Sequence, residues 1–336
     1  MGIFLDSGVL PSSIDYASPA RRRYQSDGTR VPYFMVARQG MTADGTHPTL
    51  LYGYGGFEIS LQPSYSAGVG RAWTTQGGVY VVANIRGGGE YGPRWHQGAL
   101  KANRLRAYED FAAVARDLFA RKITSPRRLG IQGGSNGGLL VGNMVTLYPD
   151  LMQAAVCQVP LLDMRRYNQL LAGASWMAEY GNPDKPEEWE FIRRFSPYHN
   201  VRPDGKYPSV LFTTSTRDDR VHPGHARKMM ALMESHGHAV LYYENIEGGH
   251  GGAADNAQRG IGVPASGGPC RRSVAGFQGS RSAPARPDRA GFRADRTGNP
   301  SRAGHVRESA SRRQRSRPCP DCGPTVKSST PPSARP

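Results

Sequence analysis

The sequence predicts an α/β protein, a mostly parallel β-sheet covered by helices and followed by a basic tail with no fold of its own. Three observations predict this. From Thr29 to Asn256, short β-rich runs alternate with runs of helical period. Several of the β-rich runs are apolar throughout, as strands of a sheet buried on both faces are. After about Gln258 the periodicity stops, and Arg, Ser, Pro, Ala and Gly replace the aliphatic residues.

Taken in order, residues 1–28 are a short, truncated lead-in, 29–259 are the folded domain, and 260–336 are the tail. The expected strands are 33–36, 49–54, 79–84, 128–132, 154–159, 209–214 and 239–243. Between the third and fourth, Tyr108, Phe111, Ala112, Ala115, Leu118 and Phe119 fall at helical spacing and form an apolar stripe. A second helix is expected to start at Ser135. A third, over 224–235, carries Ala226, Met229, Met230 and Met233 on one side. The alternation places helices on both faces of the sheet.

At 336 residues the hydrophobic content of 38% is low for a wholly folded chain. The net charge of +16 is lopsided: residues 260–336 hold 14 Arg and 1 Lys against 4 acidic residues, which is +11 of the total. That tail cannot bury enough apolar surface to offset its ordering entropy and is expected to be disordered. Its arginines are scattered without interleaved aromatics, so no nucleic-acid partner is implied. Three of the four cysteines, Cys270, Cys319 and Cys322, lie there too, and no disulfide framework follows. A zinc site at Cys319 and Cys322 would need two more ligands at metal spacing, so no metal is expected. No apolar run reaches the ~18 residues of a membrane span, and residues 1–7 lack the pattern of an export signal. A cytoplasmic enzyme is the expectation, or a periplasmic one if an upstream signal is missing.

The segment Gln132-Gly133-Gly134-Ser135-Asn136-Gly137-Gly138 follows a strand and opens a helix, which is the context of a G-x-S-x-G nucleophile elbow. A serine hydroxyl attacks only when a base takes its proton, so a histidine and an orienting carboxylate must follow. In the α/β-hydrolase order Ser, Asp, His they do. Asp218 and Asp219 leave the end of one expected strand, and His250, flanked by Gly248-Gly249 and Gly251-Gly252, leaves the next. Spacing does not choose between the two adjacent aspartates. Most of the other histidines, such as His236 and His238, read as solvated surface residues.

Leu51-Tyr52-Gly53-Tyr54-Gly55-Gly56-Phe57, Asn84-Ile85-Arg86-Gly87-Gly88-Gly89-Glu90-Tyr91-Gly92, Gly133 to Gly138 and Asp218-Asp219-Arg220-Val221 together resemble the catalytic domain of the prolyl oligopeptidase family. The resemblance runs from about Thr29 to Asn256. It implies an α/β-hydrolase fold, a triad of Ser135, Asp218 and His250, and an oxyanion hole made by the Tyr54 hydroxyl and the Asn136 N–H. It also implies that Arg220 binds a substrate carbonyl and that Phe57 and Trp176 hold the proline ring, with Tyr180 and Val221 in the same substrate-binding set. Without it, Tyr54 reads equally as a core aromatic with a satisfied hydroxyl, and core packing is the alternative for Trp176. The activity implied is cofactor-free hydrolysis of short peptides after proline. Alternatives are an esterase or a broader oligopeptidase on the same triad, or an inactive truncated remnant.

The chain departs from the family in two places. The β-propeller that precedes the hydrolase domain in the family is not found in residues 1–30 and is expected only in a full-length form, and near Gly260 the family's C-terminal helix gives way to Arg/Pro/Ser/Gly-rich text. A frameshift in a GC-rich gene is the expected origin of that text.

Overall fold

The structure is a computed structural model and describes residues 9–17 (as a strand), 28–64 and 66–252. The expectations for the basic tail, its frameshift origin and the Cys319/Cys322 pair fall outside the described residues. Eight strands form one sheet: β1 (Val9–Ala17), β2 (Val31–Arg38), β3 (Thr49–Gly53), β4 (Val79–Ala83), β5 (Leu129–Gly134), β6 (Ala154–Gln158), β7 (Ser209–Ser215) and β8 (Val240–Asn245). The helices are α1 (Ala67–Ala72), α2 (Pro93–Gln97), α3 (Leu105–Ala120), α4 (Asn136–Leu147), α5 (Met177–Tyr180), α6 (Pro186–Ile192), α7 (Pro197–Asn200) and α8 (Gly224–Ser235). Strand order is β1-β2-β4-β3-β5-β6-β7-β8. The pairs β1·β2 and β2·β4 are antiparallel and the rest are parallel, so the expected mostly parallel sheet is present. β1 lies within the lead-in, where no strand was expected.

The main core fills one face of the sheet. Tyr33, Met35, Leu51, Val81, Ile131, Ala155, Cys157 and Phe212 point into it, and so do Phe111 and Leu118 of α3, Leu139 and Met144 of α4, and Met229 and Met233 of α8. The three long helices of the described residues thus pack against one face, while the short α1 lies on the other, so the expected cover on both faces is present but uneven. The cause is topological. Crossovers between parallel strands are right-handed, so the side on which a connecting helix lands depends on the direction of the step across the sheet. The steps β4 to β5, β5 to β6 and β7 to β8 all run the same way across the order, and only β3 to β4 runs back. The connection β3 to β4 carries α1, which flanks a groove with Phe34, Tyr52, Tyr80 and Val82 of the other face. Along that face Ala154 and Val156 form a separate small apolar cluster with Leu211, while Leu241 and Tyr243 are 51% and 42% exposed. No helix among the described residues is long and apolar enough to cross a membrane.

Parallel strands end together, so β3, β4, β5, β6, β7 and β8 deliver their following loops to one edge. Two glycine-rich loops interlock there. Gly87 has φ 95°, and a Cβ on it would come within 2.5 Å of the Gly55 carbonyl oxygen. The second loop is tied down from beneath. The Arg86 guanidinium grips Asp110 of α3 bidentately at 2.8 and 2.7 Å, and the Arg86 N–H donates to the same carboxylate at 3.0 Å. Asp110 is fully buried on the helix face that packs on the sheet.

Removing one partner of a buried pair leaves an uncompensated charge, which costs about 3–5 kcal/mol. Asp110→Ala should lower the urea midpoint by the equivalent of that loss. A variant with an unchanged midpoint would show that the pair does not hold the loop.

Candidate active site

β5 ends at Gly134, and the chain must reverse into α4 within one residue. Ser135 makes that reversal at φ 58°, ψ −116°, a conformation an L-residue adopts only under constraint. Its neighbours are glycine for steric reasons. A Cβ on Gly133 would lie 2.4 Å from the Gly137 carbonyl oxygen, and one on Gly138 would lie 2.6 Å from the Pro160 side chain. The Ser135 N–H is used up, donating to the Gln158 carbonyl at 2.9 Å. Asn136 is the first residue of α4, so its N–H is one of the donors without an intrahelical acceptor.

At the same edge, Asp218 follows β7 and His250 follows β8. The His250 ring lies with Nδ1 3.0 and 2.9 Å from the two Asp218 carboxylate oxygens. Oδ1 of Asp218 also accepts the N–H groups of Arg220 at 3.0 Å and Val221 at 2.9 Å. Asp219, which spacing alone left as an alternative, is exposed. Burial pushes the Asp218 carboxyl up, but the His250 hydrogen bond and the two N–H donors outweigh it and hold it below the ordinary value of 3.8. Among the described residues, no hydrogen bond joins the Ser135 hydroxyl to the His250 ring. The Ser135 hydroxyl lies beside the Tyr54 phenol and favours its ionised form. Burial pushes the Tyr54 phenol above its ordinary value, so at neutral pH it keeps the proton it would donate.

The expected substrate residues surround this centre. Phe57 stands at φ 56°, with its ring edge-to-face to Trp176 at 6.5 Å and to Tyr180 at 5.6 Å between centroids. Tyr180 and Val221 are buried in the core, Trp176 is half-buried against it, and Arg220 is exposed.

Sequence reasoning missed the polar layer under these residues. Arg104, fully buried, donates to Glu179 Oε1 at 2.9 Å and to the side-chain oxygen of Asn136. Glu179, 4% exposed, also accepts the Phe57 N–H at 3.0 Å and meets His96 Nε2 at 2.8 Å. The Asn136 amide oxygen takes the Tyr180 hydroxyl at 2.8 Å, and its nitrogen donates to the Tyr54 carbonyl at 2.6 Å. The conflict shows only once the helix start is known: Arg104 is the N-cap of α3, where a cation opposes the helix dipole. Three of the other histidines are not solvated surface residues. His225 is buried, accepts the N–H groups of Leu162 and Asp163, and is pushed down to about 4 by burial. His236 and His238 are half-buried in ring contact, and His238 also packs on Tyr207.

A family model described as the prolyl oligopeptidase family matches residues 63–263. An uncharacterized peptidase of Sinorhizobium fredii is 60% identical over 68% of this chain and 32% of its own length. A prolyl endopeptidase of Elizabethkingia meningoseptica is 42% identical over 69% and 34%. Among solved structures, a post-proline cleaving enzyme from Rickettsia typhi superposes with a TM-score of 0.76 at 38% identity, covering 80% of this chain and 38% of that one. The chain thus spans about a third of the length of the curated relatives it matches.

The depressed Asp218 carboxyl has a pH signature. Its contribution to stability is fully present above the unfolded value near 3.8 and is lost as pH falls through the lower folded value. Urea midpoints taken at about pH 6 and about pH 3 should therefore fall less in Asp218→Asn than in the unvaried chain. Equal falls would mean that the carboxylate is not held in the ionised form.

Proposed function

Because this chain belongs to the prolyl oligopeptidase family, we propose that it is the catalytic domain of a serine peptidase hydrolysing short peptides on the carboxyl side of proline. The observation that carries the reading is the strained Ser135 elbow beside the Asp218–His250 pair on one edge of the sheet. In the reaction proposed, His250 takes the Ser135 proton as Oγ bonds to the carbonyl carbon that follows the proline ring. The carbonyl oxygen becomes an oxyanion between the Tyr54 hydroxyl and the Asn136 N–H. Each such donor is worth about 3–4 kcal/mol in comparable sites. His250 returns the proton to the leaving amine, and the C–N bond breaks. Water then attacks the acyl-enzyme with the same base, which releases the carboxylic acid and restores the serine. Asp218 fixes the ring orientation and stabilises the imidazolium.

Proline specificity is supported by the aromatic wall of Phe57, Trp176 and Tyr180. A flat, rigid surface suits a five-membered ring that has no N–H to recognise. A covering β-propeller, implied by the family resemblance, would restrict a full-length form to short peptides.

Ser135→Ala should abolish labelling by a fluorophosphonate and hydrolysis of Gly-Pro reporters without lowering the melting temperature. Labelling that survives would remove Ser135 as the nucleophile. Arg220 supplies its backbone N–H to Asp218 whatever its side chain. Arg220→Ala should therefore lower kcat/KM for peptides about tenfold or more while sparing a small activated ester, as loss of one charged hydrogen bond predicts. Equal losses on the two substrates would assign the side chain a structural role instead.

A further inference from the structure

The two parts of the proposed site draw on three segments and share only one of them, the loop after β3 that carries both Tyr54 and Phe57. The oxyanion hole needs the Tyr54 hydroxyl and the start of α4, and the aromatic wall needs Phe57 after β3, Trp176 in the turn before α5, and Tyr180 at its end. Among the described residues no backbone hydrogen bond ties the segment around 176–180 to the elbow, yet the two must agree in position to within a fraction of an ångström for the proline ring and its carbonyl to be held at once.

The side chains that join them are Arg104 and Glu179. From Glu179, one oxygen holds the N–H of Phe57 at 3.0 Å, which pins a non-glycine residue at φ 56° and sets its ring against Trp176 and Tyr180. The same oxygen receives Arg104 at 2.9 Å. From Arg104, the guanidinium reaches the Asn136 side chain and lies 5.3 Å from the centre of the Tyr180 ring. Asn136 in turn binds the Tyr180 hydroxyl and the Tyr54 carbonyl at 2.8 and 2.6 Å. Stability alone is weak grounds for such a pair. Burying an ion pair is often no better for stability than burying apolar groups of the same volume. A charged pair does, however, fix direction and distance in a way that apolar contacts do not.

We infer that the buried Arg104–Glu179 pair sets the register between the oxyanion hole and the proline pocket, and that Glu179 is a positioning residue for both. The inference rests on the peptidase reading above and adds to it the device that makes proline recognition felt at the reacting carbonyl.

The test compares the unvaried chain with Glu179→Gln and Glu179→Asp. The first removes the charge. The second keeps the charge opposite Arg104, and with it the fold, but is too short to hold Phe57, Arg104 and His96 together. Two reporters differing only in proline or alanine at the cleaved position give kcat/KM, normalised to sites counted by saturating fluorophosphonate, and the same probe gives a labelling rate per site. In Glu179→Asp the proline-to-alanine ratio should fall by about tenfold or more, the scale on which an apolar pocket discriminates, with slower labelling. Glu179→Gln should do the same if it folds. A purely structural role would reduce the number of active sites and leave both per-site readouts unchanged, and that result in a folded Glu179→Asp would overturn the inference. If the unvaried chain labels but does not prefer proline, the proline reading fails by itself. The labelling rate then decides: slower in Glu179→Asp supports the positioning role, and unchanged overturns it.

Discussion

Everything at this edge of the sheet is arranged around the reversal at Ser135. A serine held at φ 58°, ψ −116° between a strand and a helix presents its hydroxyl outward, and it can do so only if strand and helix pass closer than side chains allow. Hence Gly133 and Gly138, whose Cβ atoms would run into Gly137 and Pro160. Strain of this kind costs about 1–3 kcal/mol and persists only where the surroundings over-determine it. Here they are the β5 ladder on one side and the buried start of α4 on the other.

The loops that face the elbow are held by charge rather than by secondary structure. Arg86 with Asp110 anchors the loop after β4 to α3, and Arg104 with Glu179 joins the loop after β3, the elbow and α5. Loops must run over the surface because their backbone groups need partners, so a site built from six loop ends needs such internal ties to stay rigid. Both arginines are buried and bonded to fully or almost fully buried carboxylates. A guanidinium suits this role because its planar fork can serve several acceptors at once without losing its charge.

Much of this was legible in the sequence. The seven strands from β2 to β8 and the helices α3, α4 and α8 show in the periodicity because buried elements must be apolar at a fixed spacing. The elbow shows because its glycines are a steric requirement. The two acids after β7 were distinguishable only by resemblance, since exposure and hydrogen bonding, which separate Asp218 from Asp219, are not written in spacing. The uneven helix cover was hidden for a different reason. A helix's apolar stripe says that it packs, whereas the face it packs on follows from strand order, and strand order is a long-range property. Arg104 and Glu179 were hidden because each looks like an ordinary surface charge until the fold brings together residues 75 positions apart.

The central claim is that Ser135 forms a covalent acyl intermediate with the carbonyl of proline. The chain is mixed with a Gly-Pro ester, quenched in acid within the first turnovers, digested, and its peptides are weighed. The account predicts the Gly-Pro acyl mass on the peptide that contains Ser135, in amounts approaching one per active site, and none in Ser135→Ala. Turnover without an adduct in the quenched sample, or an adduct on any other residue, would contradict it.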